Sequence, residues 1–305
     1  MSTTHYEKLK ATLENLKLPT EDRPVIENAL KKYKAWKDEI NNLKESGADP
    51  EIILQRLVDS FNSYKKFIEI DVIFKSRNDF LYRQKGQLKL DNSIIEEFLP
   101  ELIHRSVIPE IKGLDIEVGP IKTFSSVYFK SSLDNLSNGP MLSIKSKDQD
   151  FAITKKIFLK TSFSSDFTDN NVQTSSLAYI AAECKTNLDK TMFQEASATA
   201  HDVKTSVPGA KYFLLCEWLD MTPVSTAPTD IDEVIILRKA KRLSSNIRRE
   251  FSTYEGRMKN LIYYTEYLET NPISLDMIKR FIIHIQKILN QETLIENDVL
   301  SLGFF

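Results

Sequence analysis

The sequence predicts an α/β fold, a mixed central sheet flanked by helices, with a helical region ahead of it. Three observations predict it. Up to about residue 75, apolar residues recur at helical spacing; from 115 onward, apolar β-branched segments follow one another. Between two near-continuous apolar runs, 177–186 and 210–219, lies an Ala-rich stretch that ends before Pro208-Gly209. That order reads as strand, crossover helix, strand. We expect an N-terminal helical region, 1–75, and a main domain, 76–305, closed by a C-terminal helix.

The elements follow in order. Helices are expected at 5–17, 22–45 and 50–72, broken by Pro19 and by the turn Gly47-Ala48-Asp49-Pro50. In the third, Ile52, Ile53, Leu57, Phe61, Tyr64 and Phe67 form the apolar stripe. Asp91-Asn92-Ser93 supplies capping residues before Ile94, Ile95, Phe98, Leu99, Leu102 and Ile103, with Pro100 implying a kink or restart. Strands are expected at 115–129, 150–161, 177–186, 210–219 and 233–240, and the crossover helix at 191–205. The runs at 177–186 and 210–219 suit central strands covered on both faces. Pro272 and Ser274 open a last helix with Met277, Ile278, Phe281, Ile282, Ile285, Ile288 and Leu289 inward.

Composition removes many functions. Eight glycines in 305 residues, against a usual ~7%, disfavour Gly-rich phosphate loops and dinucleotide folds. Two cysteines make neither a disulfide framework nor a Cys-type zinc site, so a reducing cytoplasm is expected. No run of about 18 apolar residues promises a membrane span, and MSTTHYEKLK lacks the apolar core of a signal peptide. His5, His104, His201 and His284 are dispersed. No G-x-S-x-G elbow, P-loop or G-x-G-x-x-G occurs.

The net charge of −2 conceals basic blocks. Residues 75–89 carry Lys75, Arg77, Arg83, Lys85 and Lys89 against Asp79 alone. Residues 238–259 carry eight Lys and Arg against Glu250 and Glu255. Such blocks can neutralise phosphates whatever the global charge; a solvated surface is the plainer alternative.

One constellation carries chemistry. Glu183-Cys184-Lys185 closes an apolar strand, and the period of two puts Glu183 and Lys185 on one face, roughly 7 Å apart. Asp150 opens the strand-like DFAITKKIFLKT. If the two strands are neighbours, Asp150 and Glu183 converge on one divalent cation, and oxygen donors without His or thiolate favour Mg²⁺. Lys185 would then hold the attacking water or stabilise developing charge, as in metal-assisted phosphodiester hydrolysis. E-x-K also occurs at Glu110-Ile111-Lys112, with no apolar run before it. Asp148, Asp166 and Asp169 compete for the aspartate role; alternation with Phe151 and Ile153 favours Asp150.

The pattern Asp150…Glu183-Cys184-Lys185 resembles the PD-(D/E)XK nuclease signature. The stretches 79–105, 118–129, 182–204 and 211–221 resemble a narrower group, the type II restriction endonucleases of the BbvCI and DdeI kind, whose heterodimeric members cut CCTNAGC-like sites. The resemblance spans roughly 79 to 240. It implies a restriction-endonuclease-like core in a cytoplasmic bacterial enzyme of a restriction-modification system. It implies Asp150 and Glu183 as Mg²⁺ ligands, joined by the peptide carbonyl of Cys184, and Lys185 as the catalytic lysine. Glu96 is implied as a further acidic residue, because it borders its helix's apolar stripe while Glu97 points away. Gln194, one turn into the crossover helix, is implied to face the site. Gln149 stands where the signature's name has Pro, which leaves the choice of aspartate less fixed.

Double-stranded DNA is the implied substrate, each subunit of a heterodimer cutting one strand, with a homodimer as the alternative. Arg83, Lys85, Arg238 and Arg242 are the first candidates for DNA contact. Two other readings stay open: a non-catalytic DNA-binding subunit on the same fold, and a repair or junction nuclease of the same superfamily.

Overall fold

The computed structural model describes residues 3–130, 141–168 and 170–290. The N-terminal region folds as α1 (Thr4–Glu14), α2 (Arg23–Lys44) and α3 (Pro50–Lys66). Asp49 starts α3 by accepting from Glu51 N at 2.9 Å, with Pro50 in the first turn. The expected single helix over 50–72 changes at Phe67 to a π-helical segment, Phe67–Phe74. This segment is buried on nearly every side, and its Glu69 faces Lys65 at 3.3 Å. Ile52, placed on the stripe by spacing, is 49% exposed.

Helices α4 (Asp79–Gln87) and α5 (Ser93–Leu102) lead to the sheet. Instead of kinking at Pro100, α5 runs two residues past it and stops. The missing proline N–H falls in the last turn, where little helix remains to disrupt. Five strands follow: β1 (Glu117–Phe129), β2 (Leu142–Ser162), β3 (Asn170–Leu188), β4 (Lys211–Leu219) and β5 (Glu233–Lys241). Their order is β1-β2-β3-β4-β5. β1–β2 and β2–β3 are antiparallel, while β3–β4 and β4–β5 are parallel, so the sheet is mixed as expected. The crossover helix α6 (Lys190–Ser206) joins β3 to β4, capped by Asp189, which accepts from Met192 N at 2.9 Å. Short helices α7 (Ser245–Glu250), α8 (Tyr254–Lys259) and α9 (Leu261–Thr270) precede α10 (Leu275–Leu289).

Alternation along β4 divides the core. Phe213 and Leu215 point into the large cluster that also holds Leu9, Ile26, Phe61, Phe98, Phe151, Cys184 and Phe281. Tyr212, Leu214 and Cys216 point the other way, onto Ala196, Ala200 and Val203 of α6. Both faces of the strand are covered, as parallel pairing demands. The small alanines let α6 lie close against the face that bears Glu183 and Lys185.

Candidate active site

β2 meets β3 at Phe151↔Ala182, with Asp150 one residue ahead of the paired stretch. There the carboxylate replaces a strand partner: Asp150 Oδ2 accepts from the N–H of Cys184 at 2.8 Å. Glu183 and Lys185 project together from the same stretch of β3, and Lys185 Nζ lies 2.6 Å from Glu183 Oε1. Tyr212 donates to Glu183 Oε2 at 3.2 Å, fixing that carboxylate from β4. The side chains of Asp150, Glu183 and Lys185 are 21–23% exposed, half-sheltered and open to solvent on one side. The structure therefore brings together the three residues that strand periodicity singled out. Asp169, a competing aspartate, lies outside the described residues. Asp148 is exposed and pairs loosely with Lys122 at 3.8 Å, and Asp166 bonds its own loop at Ser164 and Thr168.

α5 closes the site from the other side. Asn92 Nδ2 donates to the Cys184 carbonyl at 3.2 Å and lies 3.4 Å from Glu96 Oε1. Glu96 thus turns toward β3, as expected. Burial first, and then the charge of Asp150, raise its carboxyl above the ordinary range, against the pull of Lys89. Burial alone would lower the pKa of Lys185. The hydrogen bond and charge of Glu183, with Asp150 adding, more than offset it, so the ammonium is held above its ordinary value. Lys185 is a cation here and not a base. Cys184 and Cys216 are buried thiols whose pKa values burial pushes up, which makes them inert.

Some expectations need correcting. Glu97 does turn away from the Glu96 side of α5, but it is fully buried there, because α1 and α2 cover that side. It accepts from His5 N at 2.8 Å, from Tyr6 N at 3.3 Å and from the Tyr33 hydroxyl. Asn92 precedes α5 without capping it by its side chain: its Nδ2 is turned to Cys184 and Glu96, and its Oδ1 meets no hydrogen-bond partner among the described residues. Arg238 is 5% exposed and locked between Glu217 (3.0 Å) and Glu69 (3.1 Å), with its guanidinium over Trp218. So placed, it has no face to offer DNA. Arg257 of the same basic block is fully buried, bonding Phe74 O, Ser76 O and Phe251 O.

Other candidates lie at the surface. Arg83 is exposed. Lys85 pairs with Asp91 at 3.3 Å and Arg242 with Asp220 at 2.9 Å. Both line a cavity of about 370 Å³ beside Thr186 and Asn187, the residues that follow Lys185. Gln194 is exposed on α6, with no hydrogen bond to the cluster among the described residues; Glu195 is the α6 residue whose charge acts on Lys185. Spacing did not single out Asn92, Tyr212 or Lys89 for the site. Only Lys89 left a trace, as the end of the basic block.

The donor set is hard oxygen: two strand carboxylates, a peptide carbonyl and Glu96 beside them. Among the described residues no three His, Cys, Asp or Glu side chains gather to hold a metal. A cation here would therefore use Asp150, Glu183 and the carbonyl of Cys184, which keeps a lone pair beyond its bond to Asn92. The carboxylates fit such a guest, since Asp150 Oδ1 and Glu96 Oε1 face one ammonium, that of Lys89, at 3.9 and 3.7 Å, and their charge is only loosely answered. Among the described residues no helix is long and apolar enough to cross a membrane.

A family model described as the Bpu10I restriction endonuclease matches residues 87–305. Among curated proteins, no relative matches. Among solved structures, the native BbvCI A2B2 tetramer at low resolution superimposes with a TM-score of 0.56 at 19% identity, covering 88% of this chain and 98% of that chain. At that identity the likeness speaks for the fold alone, over most of both chains.

Proposed function

The chain belongs to the Bpu10I restriction endonuclease family, a type II restriction endonuclease acting on double-stranded DNA, and from that premise we propose that it is a Mg²⁺-dependent subunit that hydrolyses one phosphodiester bond in one strand. Asp150, Glu183 and the Cys184 carbonyl are its cation ligands, with Glu96 supporting them from α5. The observation that carries this reading is the convergence of Asp150 on the Cys184 N–H at 2.8 Å beside the Glu183–Lys185 pair at 2.6 Å.

A bound divalent cation supplies charge neutralisation at the scissile phosphate and a water of lowered pKa. The chain's own residues do the rest. Lys185, protonated at neutral pH, donates to the attacking water or to a phosphoryl oxygen as charge accumulates there. Tyr212 holds Glu183 from behind, and Asn92 holds the Cys184 peptide, so that the donors are set before substrate arrives. The attacking water gives up a proton to solvent and forms a new P–O bond as the bond to the leaving oxygen breaks, and that oxygen takes a proton from solvent. Arg83, Lys85 and Arg242 contact the DNA flanking the site.

The chain assembles with a homologous second chain in this reading, which the A2B2 composition of the BbvCI neighbour supports, a homodimer being the alternative. Purified chain is incubated with supercoiled plasmid and Mg²⁺, with and without a candidate second subunit, and the breaks are mapped. Site-specific nicks alone, or paired cuts only with the second subunit, are expected. Clean double-strand cuts by this chain alone mean a homodimer. Binding without cleavage under every condition overturns the catalytic reading.

A further inference from the structure

Lys89 stands where α4 has ended and the chain turns into α5. Its φ is +52°, the left-handed region that residues with a Cβ rarely adopt. The turn is pinned from below: Leu90 and Asp91 are fully buried, and Lys65 Nζ holds the Asp91 carbonyl at 3.0 Å. Strain of this kind persists where the surroundings over-determine it and gathers at working sites. What the turn achieves is to aim Lys89 at the carboxylates. Its side chain is 51% exposed, and Nζ lies 3.7 Å from Glu96 Oε1 and 3.9 Å from Asp150 Oδ1.

These separations exceed a direct hydrogen bond, so the ammonium is held by charge and is free to leave. The other groups nearby are committed. Lys185 is bound to Glu183, and the second oxygen of Asp150 is taken by Cys184 N. Of the proposed cation ligands, Asp150 presents its remaining oxygen, Oδ1, to Lys89, with Glu96 Oε1 beside it.

We propose that Lys89 is the placeholder cation of this site and a contact to the DNA backbone. It compensates Asp150 and Glu96 while no divalent cation is bound. When the cation and DNA arrive together, its ammonium transfers to a phosphate oxygen near the scissile bond. This rests on Asp150 and Glu183 being the cation site proposed above.

The test uses the full chain and two readouts besides cleavage. Ca²⁺ binding without DNA is measured by calorimetry for wild type, Lys89→Gln, Lys89→Gly, Lys89→Arg and Glu183→Ala. Loss of the competing ammonium should tighten Ca²⁺ binding about two- to fivefold in Lys89→Gln and Lys89→Gly, with Lys89→Arg close to wild type. In Ca²⁺, binding to a short mixed-sequence duplex should lose about one unit of salt slope in Lys89→Gln. Glycine accepts the positive φ, so Lys89→Gly should melt no lower than wild type and guards against a folding artefact. Unchanged or weaker Ca²⁺ binding in Lys89→Gln, or an unchanged salt slope, overturns the proposal. Ca²⁺ binding that survives Glu183→Ala moves the cation elsewhere and removes the reading beneath it. Binding lost in Glu183→Ala yet indifferent to Lys89 sinks the Lys89 role alone.

Discussion

On α5, Glu97 turns toward α1 and α2 and finds two backbone N–H groups and a tyrosine hydroxyl waiting for it. Glu96, one residue earlier, turns toward β2 and β3 and finds another carboxylate and a loosely held lysine. Nearby, Glu101 is likewise matched, by Lys37 and Lys44, which hold its carboxyl below the usual range despite burial. The matched side of the helix is finished structure. The under-matched side keeps negative charge that the fold answers only loosely, through Lys89. Carboxylates identical in sequence thus divide into mortar and site by how completely their surroundings answer them.

Four perturbations break or sharpen that contrast. Glu183→Ala should reduce plasmid cleavage at least about a hundredfold while the melting temperature falls only slightly, since its pair with Lys185 is open to solvent on one side and contributes little. A fall in Tm matching the fall in cleavage would place Glu183 with the structural set. Glu97→Ala should do the reverse. Stranding the N–H groups of His5 and Tyr6 in a buried setting costs about 3 kcal/mol in urea unfolding, with cleavage per folded molecule retained.

The third concerns acid. Burial, and then the charge of Lys65, lower His5 from 6.5 to about 3. The unfolded chain therefore takes up the proton first, and His5 contributes stability above pH 6.5 that is lost as pH falls toward 3. By pH 5 the loss is about 2 kcal/mol. His5→Gln should remove that part of the difference between denaturant curves at pH 7 and pH 5; an unaltered difference would refute it. The smallest effect is at the surface. Arg83→Ala should weaken DNA binding only modestly and lower its salt slope by about one, whereas Arg238→Ala should destabilise the fold. Titration of binding against salt for the two variants separates them.

The legible parts of the sequence are those where one strand or helix carries its own signal. β4 and α6 fall within a residue of their expected limits because a doubly covered strand and an alanine face are visible locally. Asp150, Glu183 and Lys185 were legible for the same reason, since strand period alone aligns them. β2 starts eight residues before its expected start because its first part, LSIKSKDQ, alternates little and is largely solvated. Arg238 and Arg83 look alike in a basic block, and what separates them is Glu69, 169 residues away in the chain, and Glu217. Asn92 reaches the Cys184 carbonyl across 92 residues, a relation that no spacing rule reaches.

The large hydrophobic cluster runs without a break from Leu9 and Ile26 through Phe98 and Phe151 to Ile285. Anyone grafting this cutting activity onto a programmable DNA-binding protein would be tempted to start the insert near residue 76. Such a fragment would leave the apolar flank of α5 bare and Glu97 unanswered, and would fuse an aggregating stub. The portable unit is the chain with its helical preface attached.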